Sequence, residues 1–424
     1  MQSNTKKTGK QAKKGQFRQL LNRVKKNRLG KGMMRHFEWP LFAIVMALSL
    51  FGILTIYAAT ATPLEDGSSY TFLEMLQIQP FTYPRLQFIW LIVGLIGLAA
   101  VIFFDYEIFG DFRNWIYWGN VGLLLAVKLL AGAGRGGMSG WFKWGDGRTF
   151  QPSEVGKIAI IIALAKLFAE REKPIKRVSE LFRVACYVGL PLVLVIIQPD
   201  VGTALVYMAI FAGMLFASGT DAKIITAIIC IAILVLVPAW YFLQTSDSFR
   251  VDRIQVWIDP SYDPNGAGMQ TTNARIALGS GGLWGKGLFA DGNFAALNYI
   301  PDDHTDFIFA IVGETFGLAG ALLMVGLFLA MLIRMAMLSM RAQDAFGSYI
   351  IIGVMSMMLF HIFENIGMVI GLMPVTGIPL PFISYGGSNM LTNIVCIGLV
   401  INVAMRSRAG QAHTAKVRKT PVKL

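Results

Sequence analysis

The side chains best equipped for chemistry are concentrated in one polar segment, residues 245–305, between two long apolar runs. Arg253, Asp259, Asp263, Arg275 and Lys286 share it with Gly266, Gly268, Gly279, Gly281, Gly282, Gly285 and Gly287, and it closes on His304-Thr305-Asp306. A carboxylate among cations can take a proton from a weak hydroxyl nucleophile while the cations hold an anionic substrate. Asp259 and Asp263 each precede a proline, which sets extended or turn backbone there. Turn formation and proton abstraction are both open to them. The glycine run resembles a nucleotide loop only superficially. Ser280 stands six residues before Lys286, where the P-loop needs glycine, and Gly287 follows where Ser or Thr is required. Tight turns, or close approach of backbone to a lipid headgroup, fit those glycines better.

Outside this segment, Glu154 and Lys157 stand one helical turn apart at the start of an apolar run, so they share a face. Ionisable groups near membrane depth are costly and point to function. A snorkelling lysine paired with its neighbour is the structural alternative. Glu314, His361 and Glu364 fall inside apolar runs, where pairing within a bundle and service on a proton or substrate path both fit. His304 beside Asp302, Asp303 and Asp306 has metal-site composition, yet no second histidine is near and no metal ligand is assigned.

The elements that must position these groups are membrane spans. The chain has 424 residues, 55% hydrophobic and 15% charged, which excludes an ordinary soluble domain. Apolar runs of the roughly 20 residues needed to cross a bilayer recur near 40–60, 86–104, 114–131, 153–169, 181–197, 201–218, 223–244, 307–337, 347–370 and 387–405. The run after Asp306 exceeds one crossing and is expected to tilt or to extend past the membrane. Backbone in lipid must satisfy itself, so the expected fold is an all-α integral membrane protein. It is a bundle of about ten transmembrane helices with one long extracellular loop. Cys186, Cys230 and Cys396 lie in apolar runs without CxxC or His/Cys spacing and read as packing residues.

The first 36 residues carry cations from Lys6 to Arg35 and no acidic residue, and the tail from Arg406 to Lys423 is basic too. By the positive-inside rule both termini are cytoplasmic, which an even span count requires, and the loop bearing Asp263 faces outward. The arm reads as a disordered segment near anionic headgroups rather than a nucleic-acid binder. The expected organisation is a basic arm over 1–37, a membrane domain over 38–408 with its long outer loop at about 245–305, and a basic tail over 409–424.

Several motifs then fall in a fixed order along 38–408: Gln151-Pro152-Ser153-Glu154 with Lys157; Gln198-Pro199-Asp200 with Gly202 and Thr203; Asp263-Pro264 with Gly266 and Gly268; His304-Thr305-Asp306-Phe307-Ile308-Phe309-Ala310; and Pro379 to Ser388. Together they resemble the SEDS family (shape, elongation, division and sporulation), whose best-known members are RodA and FtsW. Gly279–Gly282 and Gly285–Gly287 look more like the RodA branch. The resemblance implies a peptidoglycan glycosyltransferase that polymerises lipid II, the undecaprenyl-pyrophosphate-linked disaccharide peptide, at the outer face of the bacterial cytoplasmic membrane. It also implies a class B penicillin-binding protein transpeptidase as partner, with other elongation or division membrane proteins, and no nucleic acid.

Within that reading Asp263 is the expected general base. Lys157, with Arg253 and Lys286, is expected to neutralise pyrophosphate, with Arg85 as a further cation. Glu154 orients Lys157, and Ser384 belongs to a turn that shapes the substrate cavity. A divalent cation, magnesium or manganese, could assist, although no ligand set is written in the sequence. Two rival classes remain. A flippase for the same lipid-linked precursor would use Glu314, His361 and Glu364 along its path, yet no inverted repeat is visible. A non-catalytic scaffold of the wall-synthesis complex would tolerate charge-neutral changes in the outer loop.

Overall fold

A computed structural model describes residues 33–60, 82–130, 140–144, 148–227, 230, 249–259, 262–263, 266–288, 300 and 303–419. The basic arm from Lys6 to Lys31, Asp302, Lys423 and most of the apolar run 223–244 lie outside them. The helices are α1 (Trp39–Thr60), α2 (Thr82–Phe103), α3 (Tyr106–Asp111), α4 (Arg113–Leu130), α5 (Pro152–Ala169), α6 (Val178–Ile197) and α7 (Val201–Ala217). They continue with α8 (Phe249–Ile258), α9 (Ala267–Ser280), α10 (Ile308–Met340), α11 (Ala345–Ile370) and α12 (Gly387–Lys419). Each expected span outside 223–244 coincides with a helix. Among the described residues, six helical stretches are long and apolar enough to cross a membrane: α1, α2, α6, α10, α11 and Gly387–Ala409 of α12. The protein is a multi-pass membrane protein.

The helices are apolar on both faces because they meet protein on one side and lipid on the other. In α10, Ala321, Met324, Phe328, Met331, Met335 and Leu338 are buried at steps of three and four. Leu318, Leu322, Leu329 and Ile333 follow the same period on the exposed face. Cys396 is buried as a packing residue should be, whereas Cys186 and Cys230 sit on the outside of the bundle.

Five arginine–carboxylate pairs among the described residues lie at one end of the bundle. Glu38 is fully buried beneath Arg334, with Nη2 at 2.5 Å, and Arg408 pairs with its other oxygen. Arg406 meets Asp105 at 3.0 Å, Arg113 meets Glu170 at 2.5 Å, and Arg171 meets Glu180 at 2.5 Å. The opposite end carries the sequence motifs and is called the site end below.

Two features depart from the expected picture. A two-stranded antiparallel hairpin, β1 (Phe142–Trp144) and β2 (Arg148–Phe150), precedes α5 with Phe142 opposite Phe150. The segment 245–305 also contains two helices, α8 and α9, so it is more than an irregular loop.

The overlong α10 is broken rather than simply tilted. Gly317 has φ 66° and ψ −167°, which interrupts the helix between Ile308–Phe316 and the long remainder. The glycine turn after α9 threads into that break. Leu318 N donates to Gly282 O at 2.9 Å, Ala319 N to Leu283 O at 3.1 Å, and Gly287 N to Thr315 O at 3.1 Å. The backbone groups freed at membrane depth are thereby satisfied by another segment. A Cβ on Gly317 would lie 2.3 Å from Gly285 N, so both the dihedral and the space demand glycine. Gly317→Ala should therefore destabilise the detergent-solubilised protein by about 2 kcal/mol or more, read as a lowered melting midpoint. An unchanged midpoint would show that this junction carries little of the fold.

Candidate active site

The site end is built where three helices begin. Asp200 caps α7, accepting from Thr203 N at 3.0 Å, and also accepts from Gln151 Nε2 at 2.7 Å and Ser153 Oγ at 3.1 Å. Gln151 N donates to Ser388 Oγ, 3.1 Å away in the first turn of α12. Tyr207 OH donates to Ser153 O at 3.0 Å and draws α7 onto α5. The Gln151-Pro152-Ser153-Glu154, Gln198-Pro199-Asp200 and Ser384–Ser388 motifs thus meet through their own polar groups. Pro152 opens α5 at a position where its missing N–H costs nothing.

One turn further along α5, Lys157 is 1% exposed. Its Nζ lies 2.7 Å from Glu154 Oε1 and 3.1 Å from His361 Nε2 on α11. Glu154 Oε2 receives Asn389 Nδ2 at 3.4 Å, and Asn393 Nδ2 donates to Asn389 Oδ1 at 2.9 Å. The ammonium is therefore neutralised and bonded inside the bundle, as a charge at that depth must be. His361 Nδ1 faces Pro379 O at 3.1 Å, which ties the network to the loop over α11.

The same face of α11 carries Glu364 and Asn365, three and four residues after His361. Glu364 is fully buried and accepts from Thr376 Oγ1. Asn365 Nδ2 donates to Asp306 O and Ile378 O, both at 2.8 Å. Arg253 of α8 reaches over this cluster to Val375 O at 3.3 Å. Burial pushes its guanidinium pKa down, while the charges of Asp306 and Glu364 pull it back up. Trp257 Nε1, one turn on, donates to Gly371 O at 3.2 Å, so α8 is docked on the C-terminal end of α11.

Asp263 is half-buried just before α9. Gly268 N donates to its backbone oxygen at 3.0 Å, which winds the chain into the helix. Its carboxylate lies over Gly266, where a Cβ would fall 2.1 Å from Oδ2. A side chain at 266 would therefore displace the carboxylate from this position. Lys157 is bonded to Glu154 and His361, on elements other than the one bearing Asp263.

The remaining expected site residues are placed apart from this network. Lys286 pairs with the fully buried Glu314 on α10 at 2.7 Å, and its N–H also binds Glu314 O at 2.9 Å. Its ammonium thereby locks the glycine turn to the broken helix. Arg85 is exposed in the first turn of α2. Ser384 is buried, its hydroxyl accepting from Leu380 N at 2.8 Å and its carbonyl from Gln87 Nε2 at 3.0 Å. It closes a turn. Among the described residues no group of three or more His, Cys, Asp and Glu comes together as a metal site. His304 instead lies 3.2 Å from Asp303 and against Tyr83 and Tyr385.

The family model described as "Cell cycle protein" (FtsW/RodA/SpoVE) matches residues 38–409. The chain belongs to this family. A probable peptidoglycan glycosyltransferase FtsW from Geobacter sp. (strain M18) is 31% identical over 385 residues, covering 88% of this chain and 99% of the relative. The peptidoglycan glycosyltransferase MrdB of Escherichia coli (strain K12) is 30% identical over 368 residues, covering 87% and 93%. These near-equal identities do not assign this FtsW/RodA/SpoVE member to the RodA branch. A chain solved in work on the structural coordination of polymerization and crosslinking by a peptidoglycan synthase complex has a TM-score of 0.71. It is 25% identical, with 88% of this chain and 98% of that chain covered. The rod shape determining protein RodA of Thermus thermophilus shares the fold, with a TM-score of 0.62, 23% identity, and 87% and 96% covered.

The sequence singles out the site end of this family member, with His361 and Glu364, but not the asparagines that join them on α11 and α12. Asn365, Asn389 and Asn393 gave a readable signal, since polar side chains spaced by three and four within apolar helices mark an inward polar stripe. Asp200 joins the start of α7 to that of α5 through three hydrogen bonds, so Asp200→Ala should lower stability by about 2–3 kcal/mol in thermal melts of the purified protein. Asp200→Asn, which keeps a carbonyl for the cap, should recover roughly half of the loss. A wild-type melt for the alanine variant would show that the junction bears no load.

Proposed function

We propose that the chain is a peptidoglycan glycosyltransferase that joins lipid II units into glycan strands at the outer face of a bacterial cytoplasmic membrane. A class B penicillin-binding protein acts beside it as crosslinking partner. The observation that supports this reading most is the buried Lys157–Glu154–His361 network beneath the motif-bearing loops, within the frame of a family whose curated relatives carry that enzyme name. Both termini lie in the cytoplasm, with a basic arm and a basic tail flanking the membrane domain.

The reaction forms a bond between an acceptor sugar oxygen and the donor's anomeric carbon. The bond from that carbon to pyrophosphate breaks, and the acceptor's proton must leave. Asp263, half-buried at the start of α9, is the carboxylate that takes this proton. The pyrophosphate leaves with its charge and needs no acid. Lys157 stabilises that charge from below. With an effective dielectric near 20, a unit charge about 7 Å away is worth ~2 kcal/mol, so contact is not required. Arg253, partly buried beside Asp306 and Glu364, supplies cationic character above α11. Lys286 and Ser384 shape the site through Glu314 and the Leu380 turn, and Arg85 offers an exposed cation to the headgroup.

Polymerisation of labelled lipid II by the purified protein, alone and with its cognate transpeptidase, tests the reading. Wild type should yield long glycan chains. Asp263→Asn should yield none at an unchanged melting midpoint, and Lys157→Met should lose about a hundredfold in kcat. Substantial polymer from Asp263→Asn would remove Asp263 as the base. No polymer from folded wild type with partner present would favour the flippase or scaffold reading.

A further inference from the structure

His361 stands in the middle of an apolar helix and is fully buried, so each ring nitrogen needs a partner. Nδ1 lies 3.1 Å from Pro379 O, and a carbonyl oxygen can only accept, so Nδ1 carries the proton. Nε2 lies 3.1 Å from Lys157 Nζ. The ammonium is held by Glu154 Oε1 at 2.7 Å and can only donate, so Nε2 must be the acceptor. The two contacts fix one tautomer of the neutral ring. An imidazolium would turn a second N–H against the lysine charge.

We infer that His361 is a positioning residue for Lys157: as the Nδ1–H tautomer it accepts one ammonium proton and anchors the lysine to the Pro379 loop. Glu154 takes a second proton of the three, which leaves one N–H of Lys157 directed by the other two. Glu154 alone sits one turn back on the same helix and fixes only the distance along α5. His361 adds the sideways constraint from α11. Its other nitrogen transmits the position of the Pro379–Ser388 loop to the same ammonium, so loop and charge move together. The role in turnover rests on the glycosyltransferase reading. The tautomer and the contact do not.

Side-chain mimics separate the two bonds. Glutamine at 361 places a carbonyl oxygen near the Nε2 position and keeps the acceptor for Lys157. Asparagine places an amide N–H near Nδ1 and keeps only the Pro379 bond. In full-length protein in nanodiscs, His361→Gln should stay within about threefold of wild type in lipid II polymerisation. His361→Asn should lose about tenfold or more in kcat, with KM changed less than about threefold. Equal losses in both variants, tracking equal drops in melting midpoint, would reduce His361 to packing and overturn the inference.

The second measurement needs no turnover. The chain has only four histidines, so ¹⁵N-histidine spectra at neutral pH, compared with His361→Gln, identify the His361 ring. It should show a protonated Nδ1 and a bare Nε2, and the Nε2 signal should shift in Lys157→Met. An Nε2–H tautomer, an imidazolium, or no response to Lys157→Met would overturn the inference even if polymerisation is robust. The expected tautomer with inactive wild type would leave the contact standing and sink the glycosyltransferase reading instead.

Discussion

A lysine with 1% exposure inside a membrane bundle is the constraint around which the site end is organised. Withdrawing an ammonium from water costs several kcal/mol unless a counter-charge and hydrogen bonds replace the lost hydration. Glu154 supplies the counter-charge, His361 an acceptor from another helix, and Asn389 a donor to the carboxylate. Each of these partners must itself be held. The chain of dependence therefore runs from Lys157 through α11 to Pro379, and through α12 to Asn393.

A second ionic lock works differently. Lys286 and Glu314 join the glycine turn after α9 to the break in α10, where two backbones approach too closely for side chains. Lys157 is fixed by side chains reaching between intact helices. Lys286 is fixed largely by backbone exchange at an interrupted one. α9, which follows Asp263, is therefore anchored at its far end to α10, while α8 rests on the end of α11 through Trp257 and Arg253.

The spans were legible because bilayer thickness imposes a length that the sequence must satisfy, and the apolar runs could be read from it directly. α8 and α9 were not legible. Their many polar residues and flanking Gly and Pro obscure any helical period, even though Ala274 and Ala277 of α9 are buried in the bundle core. Ionisable outliers such as Lys157, His361 and Glu364 stood out against apolar surroundings, but their pairing did not. His361 and Lys157 are 204 positions apart, and nothing in local sequence encodes which of several buried groups will meet. The break at Gly317 was hidden for a similar reason: a glycine in an apolar helix reads as a packing residue until the segment threading it is known.

The meeting of α5, α7 and α12 at Gln151, Asp200 and Ser388 has an electrostatic consequence of its own. All three helices begin there, so the positive ends of three peptide dipoles, each equivalent to about half an elementary charge, point at one small region. Asp200 and Glu154 sit where such a field favours acids. An anion approaching from the site end meets attraction written into the backbone, which no side-chain substitution can remove while the helices still start where they do.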